Sequence, residues 1–260
     1  MPKLDLSGKQ LFLFDLDGVF YRGKESPVKI GGSSAVERIR SEGKRMFVLT
    51  NNSTDTVEAL RGNLVRLGIP VEEREILTSS RLTAEYLANR YGRTTYFLVG
   101  ERGFDRELKR LGHRRVRGPR AEVVAIGLDR FVTYEKIDRA VKVARNGADL
   151  VASHTARVYM SRDGPAIGPG PIVRAIEFAS RKRATAVGKP SPLMFKIALE
   201  KAGCRAAEAV MIGDQLDTDI QGAASAGIDS ILVLTGVDRS AKGTPAIATL
   251  GNVDELTRYL

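Results

Sequence analysis

The stretch Leu11-Phe12-Leu13-Phe14-Asp15-Leu16-Asp17-Gly18 joins an apolar run to two aspartates and a glycine. A short apolar run of this kind predicts a buried β-strand. In an open α/β sheet, ligands bind beyond the carboxyl ends of the strands, so carboxylates at this position indicate a functional site. The alternative is a strand that runs into an acidic turn, because Asp and Gly are common turn residues. The choice depends on whether matching residues follow other strands.

Strand and helix patterns alternate further along the chain. Ser34-Ala35-Val36-Glu37 predicts a capping box that opens a helix ending at Gly43. Apolar strands are predicted at Arg45–Thr50 and at Ala209–Asp214, and the second ends in the aspartate Asp214. Such alternation is typical of a parallel sheet with crossover helices. The sequence therefore predicts an α/β fold.

The segment 79–185 has strand and helix patterns of its own. Strands are predicted there at Thr95–Val99 and at Val123–Gly127, among others. We therefore expect a second, smaller α/β unit to be inserted into the first. The expected boundaries are 1–78 and 186–260 for a discontinuous catalytic core, and 79–185 for the inserted unit.

The charge of the chain is unevenly distributed. The formal net charge is +10, and all of the excess positive charge lies in residues 79–185. The densest basic run is His113–Arg120. This run is either a solvated loop or a surface that attracts an anionic ligand. Nucleic acid is the less favoured partner, because the segment has few interleaved aromatic residues and resembles no nucleic-acid-binding module.

The overall composition is that of a globular protein, with 43% hydrophobic and 28% charged residues. No apolar run reaches the length of a membrane span, and no signal peptide is visible. The single cysteine, Cys204, excludes an intramolecular disulfide and suits a reducing compartment. We expect a cytoplasmic protein without a membrane partner.

Polar residues that could take part in catalysis follow several predicted strands and loops: Asp15 with Asp17, Thr50 with Asn51, Lys189, and Asp214 with Asp219. Taken singly, each has an ordinary alternative as a helix cap, a turn residue or an exposed lysine. Together they are typical of a phosphoryl-transfer site. Carboxylates are costly to gather without a counter-ion, and Mg²⁺ would supply one, because it binds carboxylate and carbonyl oxygens.

The order of these motifs resembles that of a known family. Asp15-Leu16-Asp17-Gly18, Thr50-Asn51, Gly188-Lys189-Pro190 and Gly213-Asp214 with Thr218-Asp219 resemble the four motifs of the haloacid dehalogenase superfamily. The runs that are similar to its 4-nitrophenyl-phosphatase-like and sugar-phosphatase-like branch, subclass IIA, are Phe20–Gly23, Leu49–Ser53, Gly127–Asp129, Thr133–Lys136 and Gly168–Gly170. The resemblance covers essentially the whole chain. It implies a Rossmann-like core with an inserted α/β cap of the C2 type.

The resemblance also implies catalytic roles. Asp15 is the expected nucleophile, which forms an aspartyl-phosphate with the substrate. Asp17 is the expected general acid and base, protonating the leaving group and then deprotonating water. The expected Mg²⁺ ligands are the Asp15 carboxylate, the Asp17 backbone carbonyl and the Asp214 carboxylate.

The phosphoryl oxygens are expected to lie against Gly18, Thr50, Asn51, Asn52 and Lys189. Lys189 is also an expected catalytic residue, because its charge would neutralise the nucleophile and the phosphate. Asp219 is expected to orient Lys189 or a metal-bound water.

The chain departs from the branch in the cap. Members usually carry an Ala-Thr-Asn-Pro-Asp-like run, whereas this chain has Ala152-Ser153-His154-Thr155-Ala156-Arg157. His154, Arg157 and Tyr159 are the candidate specificity residues. Loss of the acidic position beside many arginines favours a more anionic substrate. The alternative is that His154 is a loop residue without substrate contact.

These patterns predict a Mg²⁺-dependent phosphatase that hydrolyses small phosphorylated metabolites through an aspartyl-phosphate. A phosphotransferase with the same intermediate remains an alternative. A phospho-aspartate signalling module is disfavoured by Asp17, which would hydrolyse the phosphate that such a module must keep. A dehalogenase would not need Asp17 or Asp214, and a nucleic-acid-binding protein is suggested by the basic segment alone. The resemblance further implies a possible homodimer formed through the cap.

Overall fold

The structure is a computed structural model that describes residues 4–23, 26–161, 164–240 and 242–260. The chain divides into two compact units. The first comprises Met1–Thr50, Val57–Leu77 and Pro192–Leu260, and the second comprises Asn51–Thr56 and Thr78–Ser191. The boundaries that were expected from the sequence, at 78/79 and 185/186, stay a prediction.

The strands are β1 (Leu11–Phe14), β2 (Tyr21–Arg22), β3 (Val28–Lys29), β4 (Arg45–Thr50), β5 (Ile76–Thr78), β6 (Thr95–Val99), β7 (Arg114–Arg115), β8 (Val123–Ile126), β9 (Asp149–Ala152), β10 (Val158–Ser161), β11 (Gly164–Ile167), β12 (Ala184–Ala186), β13 (Ala209–Gly213), β14 (Asp229–Val233) and β15 (Ala248–Leu250). The α-helices are α1 (Ser33–Ser41), α2 (Val57–Arg66), α3 (Ser79–Tyr91), α4 (Arg102–Arg110), α5 (Tyr134–Arg145), α6 (Pro169–Ser180), α7 (Pro192–Ala202) and α8 (Gln221–Ser225). The short helices Glu73–Glu75, Ala206–Glu208, Leu216–Ile220 and Val253–Arg258 complete the set among the described residues.

The first unit is built on a six-stranded sheet in the order β15-β14-β13-β1-β4-β5. The strand pairs from β15 to β4 are parallel. All four residues of β1 are fully buried, as an apolar run in the middle of a parallel sheet requires. The prediction of an α/β fold with a parallel sheet is therefore confirmed.

The start of α1 differs from the prediction. Its N-cap is Gly32 in a left-handed conformation, and no side chain of the expected Ser34–Glu37 box caps it, so the predicted capping box is wrong. Instead, the side chain of Asp254, which is far away in sequence, caps the start of α1. Its Oδ1 accepts hydrogen bonds from the Gly32 N–H (3.0 Å) and from the Ser34 hydroxyl (2.6 Å). A local pattern cannot reveal a cap that comes from the other end of the chain.

The second unit has its own five-stranded sheet in the order β12-β9-β8-β6-β7, and its strand pairs are parallel. Its core consists of buried apolar residues of β6, β8, β9, α5 and α6. The predicted strand Thr95–Val99 and the predicted second α/β pattern are confirmed. The antiparallel hairpin β10–β11 and the short edge strand β7 were not predicted.

Within the described part of the chain, each helix is too short or too polar to cross a lipid bilayer.

Candidate active site

Three neighbouring strands of the first unit end in polar residues at the same edge of the sheet. Asp15 follows β1, Thr50 is the last residue of β4, and Asp214 follows β13. Because β1 lies between β13 and β4 and all three are parallel, these strand ends are adjacent. The apolar strands thus carry the carboxylates to the edge where α/β sheets bind ligands.

The structure brings three carboxylates together there. Asp15, Asp214 and Asp219 are all buried, and one ligand oxygen from each lies within 4.8 Å of the others. Buried carboxylates this close repel each other, and a bound cation relieves the repulsion. A set made only of carboxylate oxygens fits a hard cation such as Mg²⁺ better than zinc, which favours nitrogen and sulfur.

Asp214 is held by the loop that follows β14. The Val237 N–H donates to Asp214 Oδ2 (2.8 Å), and the Asp238 N–H donates to the Asp214 carbonyl (3.0 Å). Asp238 in turn accepts from the Leu216 N–H (2.7 Å). Sequence reasoning missed this loop. The available signal was Gly236, a glycine placed soon after a strand at the functional edge.

Two glycines allow the chain to approach the Asp214 carboxylate closely. A Cβ built on Gly18 or on Gly236 would collide with Asp214 Oδ2. Gly18 also has a φ of +81°, a left-handed conformation that side chains disfavour. Its N–H donates to the Tyr21 carbonyl (2.9 Å), and its carbonyl accepts from the Thr235 hydroxyl (2.6 Å). Gly18 therefore closes the turn after β1 directly against a metal-ligand candidate.

The side chain of Asp219 stabilises the end of β13 by accepting hydrogen bonds from the backbone that follows it. Its Oδ2 accepts from the backbone N–H groups of Asp214 and Gln215, both at 3.1 Å. Its Oδ1 accepts from the Thr218 hydroxyl at 3.3 Å. A Cβ on Gly213 would collide with the Asp219 side chain. The contacts of Asp219 thus fix the backbone that presents Asp214.

Asp17 differs from Asp15 in environment. Asp15 is buried, whereas Asp17 is exposed and forms an isolated bridge with Tyr21. The two aspartates of the opening motif are therefore presented differently, one to the carboxylate cluster and one to solvent.

Lys189 belongs to the second unit, where it is almost completely buried. Its carbonyl accepts from the Asn51 side-chain amide (2.9 Å), and the Ser79 hydroxyl donates to the Asn51 carbonyl (2.9 Å). The Gly188 N–H donates to the Ser153 carbonyl (2.6 Å), and the Lys189–Pro190 peptide is cis. Asn51 and Lys189, two expected phosphate-binding residues, are thus joined by a direct hydrogen bond.

The side chain of Asn52 closes its own turn. Its oxygen accepts from the N–H groups of Thr54 (3.0 Å) and Asp55 (2.9 Å), and its amide donates to the Asp55 carboxylate (2.8 Å). Its expected contribution to phosphate binding stays a prediction.

The candidate specificity residues lie together before and within β10. His154 is buried, and its Nδ1 accepts from the Ala156 N–H (3.4 Å), whereas Arg157 is exposed and Tyr159 half-buried. The glycine-rich start of α6 fixes this run, because the Gly170 N–H donates to the Ala156 carbonyl (3.0 Å). A Cβ on Gly168 would collide with that same carbonyl.

Comparisons with known proteins agree with this geometry. The chain matches the family model of the haloacid dehalogenase-like hydrolases over residues 12–114 and the HAD-hydrolase-like model over residues 186–257. The sugar-phosphatase AraL of Bacillus subtilis is 33% identical over 226 residues, which is 86% of this chain and 82% of that protein.

Two further relatives match nearly the whole length. The 5'-nucleotidase YutF of Bacillus subtilis is 28% identical over 250 residues, 96% of each chain. The solved structure of p-nitrophenyl phosphatase from Archaeoglobus fulgidus has a TM-score of 0.90 at 29% identity, covering 97% of this chain and 99% of that one. The chain therefore belongs to the haloacid dehalogenase-like hydrolases, and within them to the phosphomonoesterases of the 4-nitrophenyl-phosphatase-like branch, subclass IIA.

Proposed function

We propose that this protein is a Mg²⁺-dependent phosphatase that hydrolyses small phosphomonoesters through an aspartyl-phosphate on Asp15. The observation that carries the proposal is the buried cluster of Asp15, Asp214 and Asp219 at the end of the central strand. A nucleophilic carboxylate beside two others cannot approach an anionic phosphate without a neutralising cation.

The Asp15 and Asp214 carboxylates and the Asp17 carbonyl would hold Mg²⁺. When bound, Mg²⁺ screens the negative charge shared by the carboxylates and the phosphate. Asp219 acts on the site through the backbone N–H groups of Asp214 and Gln215, whose positions its carboxylate fixes.

The reaction proceeds in two steps. In the first, a carboxylate oxygen of Asp15 forms a bond to phosphorus while the ester P–O bond breaks, and Asp17 donates its proton to the leaving alcohol oxygen. In the second, Asp17 takes a proton from water as the water oxygen attacks phosphorus, which releases phosphate and free Asp15. The exposure of Asp17 supports this role, because a proton carrier must reach the leaving group and solvent.

The proposed phosphate-binding residues are Gly18, Thr50 through its hydroxyl, Asn51 through its N–H, and Asn52, and Lys189 is proposed to supply positive charge. The hydrogen bond from Asn51 to the Lys189 carbonyl supports a joint role for these two residues.

The substrate class is a small phosphorylated metabolite. Relatives are named for sugar phosphates, nucleotides and nitrophenyl phosphate, so the family alone selects none of these. His154, Arg157 and Tyr159 are proposed to select the leaving group, and Arg157 favours an anionic one. The homodimer and the cytoplasmic location stay predictions.

Hydrolysis of 4-nitrophenyl phosphate tests the mechanism. With Mg²⁺ present we expect turnover, which EDTA abolishes and added Mg²⁺ restores. Asp15→Asn should lower kcat by at least about a thousandfold with an unchanged circular dichroism spectrum, because it removes the nucleophile. The control Asp217→Asn, at an exposed aspartate of the short helix Leu216–Ile220, should keep normal turnover. Normal turnover by Asp15→Asn would refute the mechanism.

Asp17→Asn should lower kcat by about 10²–10⁴-fold, the usual contribution of a general acid and base. Rapid-quench analysis with radiolabelled substrate should show phosphate retained on the protein after the first turnover. Release of phosphate to glycerol rather than water would identify a phosphotransferase instead. A screen of phosphorylated metabolites, read by released phosphate, then identifies the substrate.

A further inference from the structure

The basic charge of the second unit is not explained by the proposed chemistry. The densest basic run, His113–Arg120, contains β7 and most of the loop between β7 and β8. The expected catalytic cation, Lys189, also lies in the second unit, but it is remote in sequence from this run. The positive charge of this loop therefore has no role in the proposed reaction.

The loop borders a cavity of about 540 Å³ on the second unit. The residues that line it are Arg117, Gly118, Pro119, Arg139, Lys142, Val143, Arg145 and Asn146. Within the described part of the chain, half of this lining is cationic and none of it is acidic. The volume lies in the range of small-molecule sites, about 300–1,000 Å³.

The cations come from two separate elements. Arg139, Lys142 and Arg145 lie on the last turns of α5, and Arg117 comes from the loop after β7. Cations at a helix C-terminus are ordinary, because they complement the helix dipole. The dipole does not account for Arg117, which another segment brings to the same cavity.

The cations also differ in how they are neutralised. Arg139 pairs with Glu135 (2.5 Å) and Lys142 with Asp138 (2.6 Å), each within α5. Arg117 and Arg145 form no ion pair with any other residue in the described ranges. Two guanidinium groups from two elements thus remain available to an anion.

A second cavity of about 590 Å³ adjoins the first. The two share Pro119 and Asn146, and the second adds Arg120 and Glu122 to the lining. The Glu122 carboxylate accepts hydrogen bonds from the Thr94 hydroxyl (2.8 Å) and the Thr95 N–H (2.8 Å). The concave surface therefore extends along the loop, where Arg120 adds one further cation beside the hydrogen-bonded Glu122.

We propose that this cavity binds a small ligand with a chain of phosphate groups. Guanidinium groups bind phosphate oxygens in a bidentate manner, and several cations in one cavity favour several linked phosphates over one. No aromatic residue lines either cavity among the described residues, so bases have no stacking platform. The phosphate chain is thus the part recognised, whether it is inorganic or part of a nucleotide.

Calorimetric titration with inorganic tripolyphosphate tests the proposal. The titration is made in EDTA, since divalent cations would bind the probe. We expect one site per chain, with binding at least about tenfold tighter than that of orthophosphate. The double variant Arg117→Gln/Arg145→Gln should weaken binding at least about tenfold. Asp15→Asn should bind as the wild type does, which separates this cavity from the catalytic residues.

The matched control is Arg114→Gln/Arg183→Gln, which removes two exposed arginines of the same unit that do not line the cavity. It should bind tripolyphosphate within about twofold of the wild type, with all variants melting at similar temperatures. Equal weakening in both double variants would show diffuse charge and overturn the site. So would absence of binding, or stronger binding of single-stranded oligonucleotides with increasing length. ATP binding that matches tripolyphosphate supports recognition of the phosphates alone, and tighter ATP binding supports a nucleotide ligand.

Discussion

Gly18 links the turn after the first strand to the chemistry of the site. Its φ of +81° disfavours a side chain, and a Cβ there would also displace the Asp214 carboxylate. Gly43 has a similar φ of +68°, but a Cβ there would meet no atom within 4 Å. The two glycines therefore separate the effect of backbone strain from a steric effect on the proposed metal site.

We expect Gly18→Ala to raise the Mg²⁺ concentration needed for half-maximal activity by about tenfold or more, because Asp214 must move. Gly43→Ala should leave that concentration unchanged while lowering the free energy of unfolding by about 1–2 kcal/mol, the cost of a left-handed alanine. Mg²⁺ titration of activity and urea denaturation measure the two effects. An unchanged Mg²⁺ requirement in Gly18→Ala would contradict the role of Gly18.

At the residue scale, the sequence predicted the groups whose chemistry lies in the side chain. Asp15 and Asp214 could be found because each follows an apolar strand. The loop at Gly236 and Val237 could not, since it acts through a backbone N–H, which nearly every residue carries. Ser79 escaped notice for a related reason, because its hydroxyl acts on a backbone carbonyl.

At the scale of elements, the start of α1 depends on Asp254. The Asp254 carboxylate accepts two hydrogen bonds there, and its negative charge complements the helix dipole. We expect Asp254→Ala to lower the free energy of unfolding by about 1–2 kcal/mol, as measured by urea denaturation. Glu37→Ala removes the residue that a local capping box would require, and it should change stability by less than about 0.5 kcal/mol. A larger loss of stability in Glu37→Ala than in Asp254→Ala would instead support the local capping box.

The loop that carries Lys189 is packed too tightly for a side chain at Gly188. A Cβ there would lie 2.5 Å from the Ser153 carbonyl oxygen, 2.6 Å from Asn51 Oδ1 and 2.9 Å from the Ser79 Cβ. We expect Gly188→Ala to destabilise the protein by about 1–3 kcal/mol, the usual cost of overpacking. It should also lower kcat, because Lys189 is the next residue.

Gly62→Ala is the matched control for this prediction. Gly62 lies within α2, and a Cβ there would meet no atom within 4 Å. Alanine should therefore raise stability, by up to about 1 kcal/mol, and leave kcat unchanged. Thermal melting and steady-state kinetics on both variants distinguish crowding from a general effect of removing glycine. A Gly188→Ala enzyme with wild-type kcat would show that the Lys189 loop tolerates displacement.

The elements differ in how far the sequence predicts them. The strands β1, β4 and β13 are runs of four to six mostly apolar residues, so their apolar sequence alone predicts them as buried strands. β7 consists of Arg114 and Arg115, both exposed, and it is a strand only because β6 provides hydrogen-bond partners. Pairing of this kind depends on the tertiary fold and leaves no periodic pattern.

At the scale of the whole molecule, several carboxyl groups make stability depend on pH. Among the described residues, the carboxyl groups of Glu42, Asp105, Glu122 and Glu208 each have a pKa below the usual value. Burial raises the pKa of Asp105, but hydrogen bonds from Lys109 (2.7 Å) and Tyr96 (2.8 Å) outweigh it. A carboxyl group with a lowered pKa stabilises the fold above its unfolded pKa, and that stabilisation is lost as the pH falls.

We therefore expect the protein to lose stability progressively below about pH 4, the ordinary pKa of these groups. Asp105→Asn should lower the free energy of unfolding by about 1–3 kcal/mol at pH 7, and the difference from the wild type should shrink below about pH 4. Asp138→Asn, in an exposed ion pair with Lys142, should cost less than about 1 kcal/mol. Urea denaturation across pH measures both, and a pH-independent difference for Asp105→Asn would refute the assignment.

The central position of β1 has a consequence for synthesis on the ribosome. Leu11 is made well before one of its two strand partners, Ala209, which is added about 200 residues later. At about 5–20 residues per second, β1 must wait roughly ten to forty seconds for β13. Most of the second unit, Thr78–Ser191, is translated in that interval. The strand that precedes Asp15 therefore spends that interval with one apolar edge unpaired, and we expect this strand to be a segment to which a chaperone binds on the nascent chain.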